Sequence, residues 1–573
     1  LAEGTVGYNT VTGHMQNLKD AGADEHLYDD ERLAFYAKGS VKGEWLLTMS
    51  YDSAKKSTGP NGNSLFQNID PNAFYTLYGD ATAQAYDASS QRKLFLKVER
   101  DQFSAVFGDF DTGLSVTELS RYSRRLNGVK TEYRSRDFEV TAFGSETGQS
   151  FVKDELRGDG TSGLYRLSRK GLVINSEQIT IESRDRFHSE RVVDSRALNR
   201  FIDYSIDYEA GTIFFKSPVF SKDDQLNPVY IVVDYEVNDA GGDALTYGGR
   251  AGVKLMDGNL RIGGSYIREG HLSGDSTLYG ADASMDLGSG TKARAEIATS
   301  RRDTPLEKDS GNAYLAEITH IDQKLEGKAY YREQQEGFGL GQQKGTESGT
   351  RKFGAEGSYR LSERFTLESQ FYRQYNLVGD SVRDFVEAQA GYADKEFTGK
   401  AGLRYANDTL AGGNNATSVL GTVGGSWKTL NQRLTLRAEH EQALLSKDNN
   451  ADYPTRTVLG ADFQVIPSLL LFAQQELTSG NAADTNTTRV GMKSTPWSGG
   501  TFSSSVGSDR KENDQRTFAT VGLAQKWQVN SLWSVDGGLD RNQTIRRSNG
   551  YQFDAKVPSA SGGEDFSAVS LGA

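Results

Sequence analysis

The densest basic run in this acidic 573-residue chain is Arg121, Arg124, Arg125, Lys130, Arg134 and Arg136. Pointed into a water-filled passage, such a row would form a charged constriction or a docking stripe for a passing substrate. Set beside carboxylates on neighbouring strands, it would be a ladder of cross-strand ion pairs. Alternation puts Lys130, Glu132 and Arg134 on the face opposite Val129, Thr131 and Tyr133, so these three should point into a polar lumen. Pairing with Glu99, Asp101, Asp109 and Glu139 is favoured over the constriction, because charge ladders are how polar lumens are built.

Other chemistry is sparse. The six histidines, His14, His26, His188, His271, His320 and His440, lie far apart and form no HExxH pair. There is no nucleophile elbow, Walker loop or EF-hand spacing, and no cysteine for thiolate metal sites, redox chemistry or disulfides. No enzyme is expected. Gly337, Gly339, Gly341 and Gly345 lack the strand-turn-helix setting of a phosphate cradle, so they read as loop flexibility. Acidic pairs such as Asp29-Asp30 and Asp223-Asp224 read as solvated loop groups, with loop calcium the one cofactor left open. Arg157-Gly158-Asp159 matches an adhesion tripeptide, a match that chance supplies in a chain of this length. A net charge of −12 argues against a nucleic-acid partner.

The elements that position these residues are strands. Nine prolines against 63 glycines, with 27 Tyr and 27 Phe, describe β-structure with many tight turns. The longest apolar run, Val465 to Ala473, is broken by Pro467 and falls short of a membrane helix. A polar average does not exclude a membrane protein, because a transmembrane barrel alternates lipid-facing apolar residues with lumen-facing polar ones. That alternation recurs in segments of about nine to eleven residues, the length at which a tilted strand crosses a bilayer. Leu33, Phe35, Ala37 and Val41 share one face, and Trp45, Leu47, Met49 and Tyr51 share a face on the return. Tyr247, Ala251, Val253 and Leu255 turn at Asp257-Gly258 and return as Leu260, Ile262, Gly264 and Tyr266. Phe353, Ala355, Tyr359 and Leu361 lead through Ser362-Glu363 into Phe365, Leu367 and Phe371. Tyr and Trp fall at strand ends, as at Tyr392, Tyr405, Trp427 and Trp527, where a barrel places aromatic girdles.

Connections alternate too. Short turns are expected near 42, 101, 136, 257, 290, 322, 362, 394, 430, 466, 498 and 529, with longer polar segments between them, including 53–90, 111–125, 334–350, 407–416 and 443–454. This sorting assigns short turns to the periplasmic side and long loops to the outside, and it counts to about 26 strands. Between about 147 and 243 the pattern breaks into short branched strands, with Tyr204, Ile206 and Tyr208 facing Ile213 and Phe215 across a turn at Ala210-Gly211. The expected organisation is therefore all-β: a large antiparallel transmembrane β-barrel with N-terminal strands in 1–146, an inserted soluble β-domain in 147–243, and C-terminal strands in 244–573.

The stretch from Phe74 to Tyr133, taken with Asp203 to Phe215, resembles large Gram-negative outer-membrane barrels with embedded β-domains and is similar to secretion-translocon barrels. The resemblance implies a bacterial outer-membrane location and no catalytic residues. Such barrels end in an aromatic residue read by the insertion machinery, whereas residues 570–573 read Ser-Leu-Gly-Ala, and the chain opens at Leu1 without a basic and apolar leader. A removed export signal and a terminal signal beyond residue 573 are the corresponding expectations. The expected function is a large pore for transport or secretion, gated by loops or by a partner; the alternative is a structural anchor displaying the inserted domain and long loops. Expected partners are outer-membrane lipid or lipopolysaccharide and a periplasmic or lipoprotein subunit or exported polypeptide. The loops at 53–90 and 334–350, rich in Gly, Ser, Asn, Gln and Lys, are expected to stay mobile.

Overall fold

A computed structural model describes residues 2–8, 27–53, 77–79, 84–86, 93–158, 165–173, 176–184, 192–200, 203–215, 219, 223, 227–238, 244–271, 274–303, 308–343, 347–447, 453–480, 484–511, 514–528, 534–549 and 566–572. Among these the regular structure is β throughout, apart from one 3-10 turn at Met256–Gly258. Twenty-six strands form one antiparallel sheet, with smaller sheets of four, three and two strands beside it. The fold class is the all-β one expected. The chain divides into two compact units.

The first unit comprises Leu1–Ser150, Asn238–Tyr279 and Arg302–Lys308. Its strands Leu27–Val41, Trp45–Asp52, Leu94–Arg100, Phe103–Asp111, Arg125–Arg134 and Phe138–Thr147 each pair with the next in sequence. Ala37 stands opposite Met49 and Phe35 opposite Tyr51, so the apolar sets of this hairpin share one face. Phe138–Thr147 then skips nearly a hundred residues to pair with Ala244–Leu255, in register from Phe138↔Val253 to Thr147↔Ala244. The next hairpin differs in detail from the expected two-residue Asp-Gly turn. Leu255 pairs with Leu260, leaving four residues in the loop, and Met256, Asp257 and Gly258 all take positive φ. Asp257 and Gly258 tolerate that conformation and Met256 follows under constraint.

The second unit comprises Phe151–Val237, Gly280–Arg301 and Asp309–Ala573. Its first segment builds a module of two small sheets: Gln149–Arg157, Val229–Asn238, Gln178–Arg184 and Val192–Ala197 in that spatial order, and Tyr165–Arg166, Thr212–Phe215 and Tyr204–Asp207. Tyr204 pairs with Phe215 and Ile206 with Ile213. Asp207 Oδ1 accepts the N–H groups of Glu209 and Ala210, which starts the turn. A Cβ at Gly211 (φ 65°) would stand 2.3 Å from the Arg169 carbonyl oxygen, so only glycine closes it. Ile213, Phe215, Ile179, Ile231, Val233 and Tyr235 fill an apolar core.

The rest of the unit is a meander. From Lys308–Ile321 to Ser534–Asn549 each strand pairs antiparallel with its sequence neighbour. Short turns fall where the sequence places them: 322–324, 361–364, 394–396, 430–433, 467–468 and 495–499. The one expected near 529 lies outside the described residues. Two expectations need correction. The strands are longer, up to 16 residues in Ser534–Asn549, and the connection 377–380, on the side assigned to long loops, is as short as a turn. Extra strand length at that end carries polar pairs such as Arg373–Asp384 at 2.5 Å, which extend the ladder past the apolar band.

The two faces of the meander differ. One presents Phe371, Val386, Leu403, Val423 and Trp427, with Leu403 60% exposed. The other holds Arg383–Asp408 at 2.7 Å, Arg404–Glu387 at 2.8 Å and Arg456–Glu476 at 2.8 Å, with Glu476 fully buried. The ladder of pairings runs from Ala2–Tyr8 to Phe566–Gly572.

Candidate functional site

In the first unit, residues 112–124 connect Phe103–Asp111 to Arg125–Arg134 and fold back as a small hairpin. Leu114 and Tyr122 exchange backbone hydrogen bonds at 3.0 and 2.8 Å. The Thr112 hydroxyl donates to the Tyr122 carbonyl oxygen at 2.8 Å and accepts the Arg124 N–H at 2.9 Å. Leu114, Leu119, Tyr122 and Leu126 are buried, and the Tyr122 ring stacks on Phe143 at 5.6 Å. Phe143 lies on the sheet face opposite the exposed Val129, Val253 and Ile262, so the loop packs on the less apolar side.

Under this loop sits an ion pair. Arg124 and Glu269 are 4% and 5% exposed. Arg124 Nη1 donates to Glu269 Oε1 at 2.5 Å, the Tyr122 hydroxyl donates to the same oxygen at 2.7 Å, and Arg124 Nη2 donates to the Gln149 carbonyl oxygen at 3.0 Å. A buried guanidinium with one partner removed is costly, whereas here charge and hydrogen bonds are matched. The cluster ties the loop to the strand Leu260–His271 and to the residues that lead out of Phe138–Thr147.

The rest of the basic run does not gather there. Arg121 is exposed and Arg125 half-buried. Lys130 Nζ stands 2.7 Å from Glu132 Oε1 and donates to the Asp111 carbonyl oxygen at 2.7 Å. Arg134 is 3.6 Å from Glu132, and Arg136, in the turn, is 3.4 Å from Asp257. Strand rise separates Arg124 from Arg136 by roughly 40 Å at about 3.3 Å per residue. Of the carboxylates named for pairing, Asp109 accepts from Asn127 at 2.5 Å, Glu99 pairs with Lys97 at 2.8 Å, and Glu139 stands in register with Arg134. Sequence reasoning missed Glu269 and Tyr122. Tyr122 lies inside the basic run, but nothing local marks Glu269, 145 residues away, as the partner of Arg124.

Continuous charge ladders occur in the second unit. Glu317 lies between Arg294 at 2.6 Å and Lys328 at 3.9 Å, Lys328 reaches Glu356 at 3.9 Å, and Arg404 bridges Glu387 and Glu441. Residues 335–343, following Leu325–Gln334, are also packed, contrary to the mobility expected for 334–350: Phe338 is fully buried, and the Gly339 N–H donates to the Ser300 hydroxyl at 2.7 Å. Among its polar neighbours Phe338 and Leu340 supply an apolar anchor that the loop's overall composition hides. Most of 53–90 lies outside the described residues.

In the module, Glu177 accepts hydrogen bonds from the Tyr208 hydroxyl at 2.9 and 3.0 Å and from Tyr204 at 3.2 Å. Burial pushes its carboxyl above the usual carboxylate range. Glu155 is shifted the other way by its hydrogen bond from Arg184, whose guanidinium grips Glu155 and Glu182. Among the described residues no group of three or more His, Asp or Glu side chains is placed to hold a metal ion. Asp223 accepts from the Asn227 backbone and amide instead, and the side chains of Asp29 and Asp30 lie outside the description, as does Asp224. His320 and His440 bond to Thr291 and Thr457, each at 2.8 Å. The tripeptide Arg157-Gly158-Asp159 is described only as far as Gly158, and Gly345 lies outside the described residues.

No protein-family model matches the chain, and no curated protein matches it in sequence. Among solved structures it is similar to the P pilus usher (PapC) translocation pore, at 12% identity and a TM-score of 0.38 over 88% of this chain and 96% of that one. It is also similar to the FrpB iron transporter from Neisseria meningitidis, at 13% identity and a TM-score of 0.33, covering 52% of this chain and 66% of the other. A chain of the E. coli P pilus tip assembly intermediate PapC-PapD-PapK-PapG matches at 11% identity and a TM-score of 0.37, covering 90% of this chain and 59% of that one. Likeness at this level leaves function to be read from the chain's own geometry.

Proposed function

We propose that the chain closes into a barrel in a bacterial outer membrane and forms a wide pore for transport or secretion, with the loop at 112–124 as part of its gate. The supporting observation is the two-faced meander: large apolar side chains exposed on one face, buried ion-paired arginines and carboxylates on the other. An exposed row such as Phe371, Val386, Leu403 and Val423 is stable against lipid, and a ladder such as Arg404–Glu387 is stable against water. A sheet of this many strands encloses more cross-section than one face of side chains can fill. Folded-back loops therefore narrow the passage, and a periplasmic or lipid-anchored subunit or an exported polypeptide completes it. The chain is no enzyme and takes no nucleic acid.

Single-channel conductance in planar bilayers tests this. Glu269→Gln keeps the side-chain shape and removes the charge that holds Arg124, so conductance should rise or flicker between levels; a protein with no conductance in either form would overturn the pore. A second reading, the barrel as an anchor displaying the inserted domain at 147–243 and the long loops, is favoured by the module's own core and by its place between two strands that pair directly. Deleting 148–243 should then leave a folded barrel whose conductance is unchanged, whereas a module that takes part in gating would alter it.

A further inference from the structure

The exposed apolar face of Lys308–Ile321, Leu325–Gln334, Thr350–Arg360 and Phe365–Asn376 contains a groove of about 530 Å³, lined by Ala316, Ile318, Ala329, Phe353, Ala355 and Phe371. Register explains it. Ala329 stands opposite both Ile318 and Ala355, and Ala355 stands opposite Phe371, so two methyl groups lie side by side between two large side chains. One step toward the short turns, Gly327 and Gly357 are partners. One step the other way Tyr331 pairs with Phe353, and beyond Phe353 comes Arg351.

That end is charged in a specific order. Arg351 donates through Nε and Nη2 to Glu333 at 2.7 and 3.2 Å, and Arg373 donates through the same edge to Asp384 at 2.5 and 2.7 Å. Arg351 is opposite Tyr375 and Arg373 opposite Phe353, which makes the two arginines diagonal neighbours on adjacent strands. Their carboxylates sit on the strands to either side. Two guanidiniums, each fixed by its own carboxylate, thus stand on neighbouring strands at this end, a geometry suited to a phosphate. From Arg351 along Phe353 and Ala355 to Gly357 the strand runs about 20 Å at about 3.3 Å per residue, the scale of one extended acyl chain.

Resting on the membrane reading above, we propose that this groove binds a phosphate-bearing lipid, with one acyl chain along Ala329 and Ala355 and the phosphate on Arg351 and Arg373. The test is retention of phosphatidylglycerol. Purified full-length protein is inserted into vesicles of phosphatidylcholine with one-tenth phosphatidylglycerol, extracted, washed with detergent, and its bound lipid counted by native mass spectrometry. Ala355→Trp fills the groove, the pair Arg351→Gln and Arg373→Gln removes the cations, and Leu403→Trp is a control on the same face elsewhere. Wild type and control should retain phosphatidylglycerol, and each site variant should retain at least tenfold less; if Ala355→Trp fails to insert, Ala355→Leu replaces it. Equal retention by wild type and inserted site variants overturns the lipid site alone. Failure of every form to enter the vesicles, by protease protection, overturns the membrane reading and the lipid site with it.

Discussion

The module at 151–237 and the meander from 309 onward use the same alternation of apolar and polar residues and send the apolar ones to opposite addresses. In the module Ile213, Ile231 and Val233 are fully buried between two small sheets. In the meander Phe371, Leu403 and Trp427 are at least half exposed, while ion pairs such as Arg456–Glu476 occupy the protected face. A sheet that buries its apolar face against another sheet is complete in water. A sheet that exposes it needs a second solvent, and lipid is the one that the proposed function supplies.

Paired substitutions sharpen the contrast. Ile231→Ala should cost the module roughly 2–5 kcal/mol, read by hydrogen exchange confined to 151–237, because it opens a cavity in a packed core. Leu403→Arg should cost roughly 2–4 kcal/mol in reversible folding into bilayers if Leu403 faces the membrane interior. A neutral result for Leu403→Arg in that assay would break the comparison, since an exposed leucine in water tolerates arginine.

Smaller effects follow from titration. Glu177, half-buried in the module, is held above the 4.5 of an unfolded glutamate, chiefly by burial. The folded state therefore holds the extra proton. Stability from this group is present below pH 4.5 and lost as pH rises through the folded value. Glu155, lowered by Arg184, acts in the opposite sense: its contribution is present above 4.5 and lost on acidification. Glu177→Gln should flatten the loss of module stability on the rising side and leave the acid side unchanged, measured by urea unfolding of the whole protein from pH 4 to 8. The smallest effect is expected at Asp322, in a short turn of the meander. The backbone N–H groups of Leu325 and Lys324 and the side chain of His320 hold its carboxyl at about 2, below the ordinary 3.8. Its contribution is present above 3.8 and lost only as pH falls through about 2, so Asp322→Ala should loosen exchange at 322–325 at neutral pH and leave the rest of the meander unchanged.

Much of the fold was legible because its physics is local. Period-two alternation decides which face a side chain takes, and turn residues decide where a strand ends; hence the hairpin of Tyr204 and Ile206 with Phe215 and Ile213, and the turns at 322–324, 361–364 and 394–396, sit where the chain alone places them. The detail at Met256–Gly258 escaped, because one extra loop residue on each side of Asp257-Gly258 leaves the alternation intact. The candidate site was half legible. The basic run announced charge around Arg124, and the turn expected near 136 already set Arg136 at the other end of the strand, but only folding joined Arg124 to Glu269. The reason is that an ion pair between strands depends on register summed over every hairpin between them, a long-range quantity that no window of sequence contains. The same holds for the packing of Phe338. Alternation determined what each strand is, and tertiary pairing decided which charges meet.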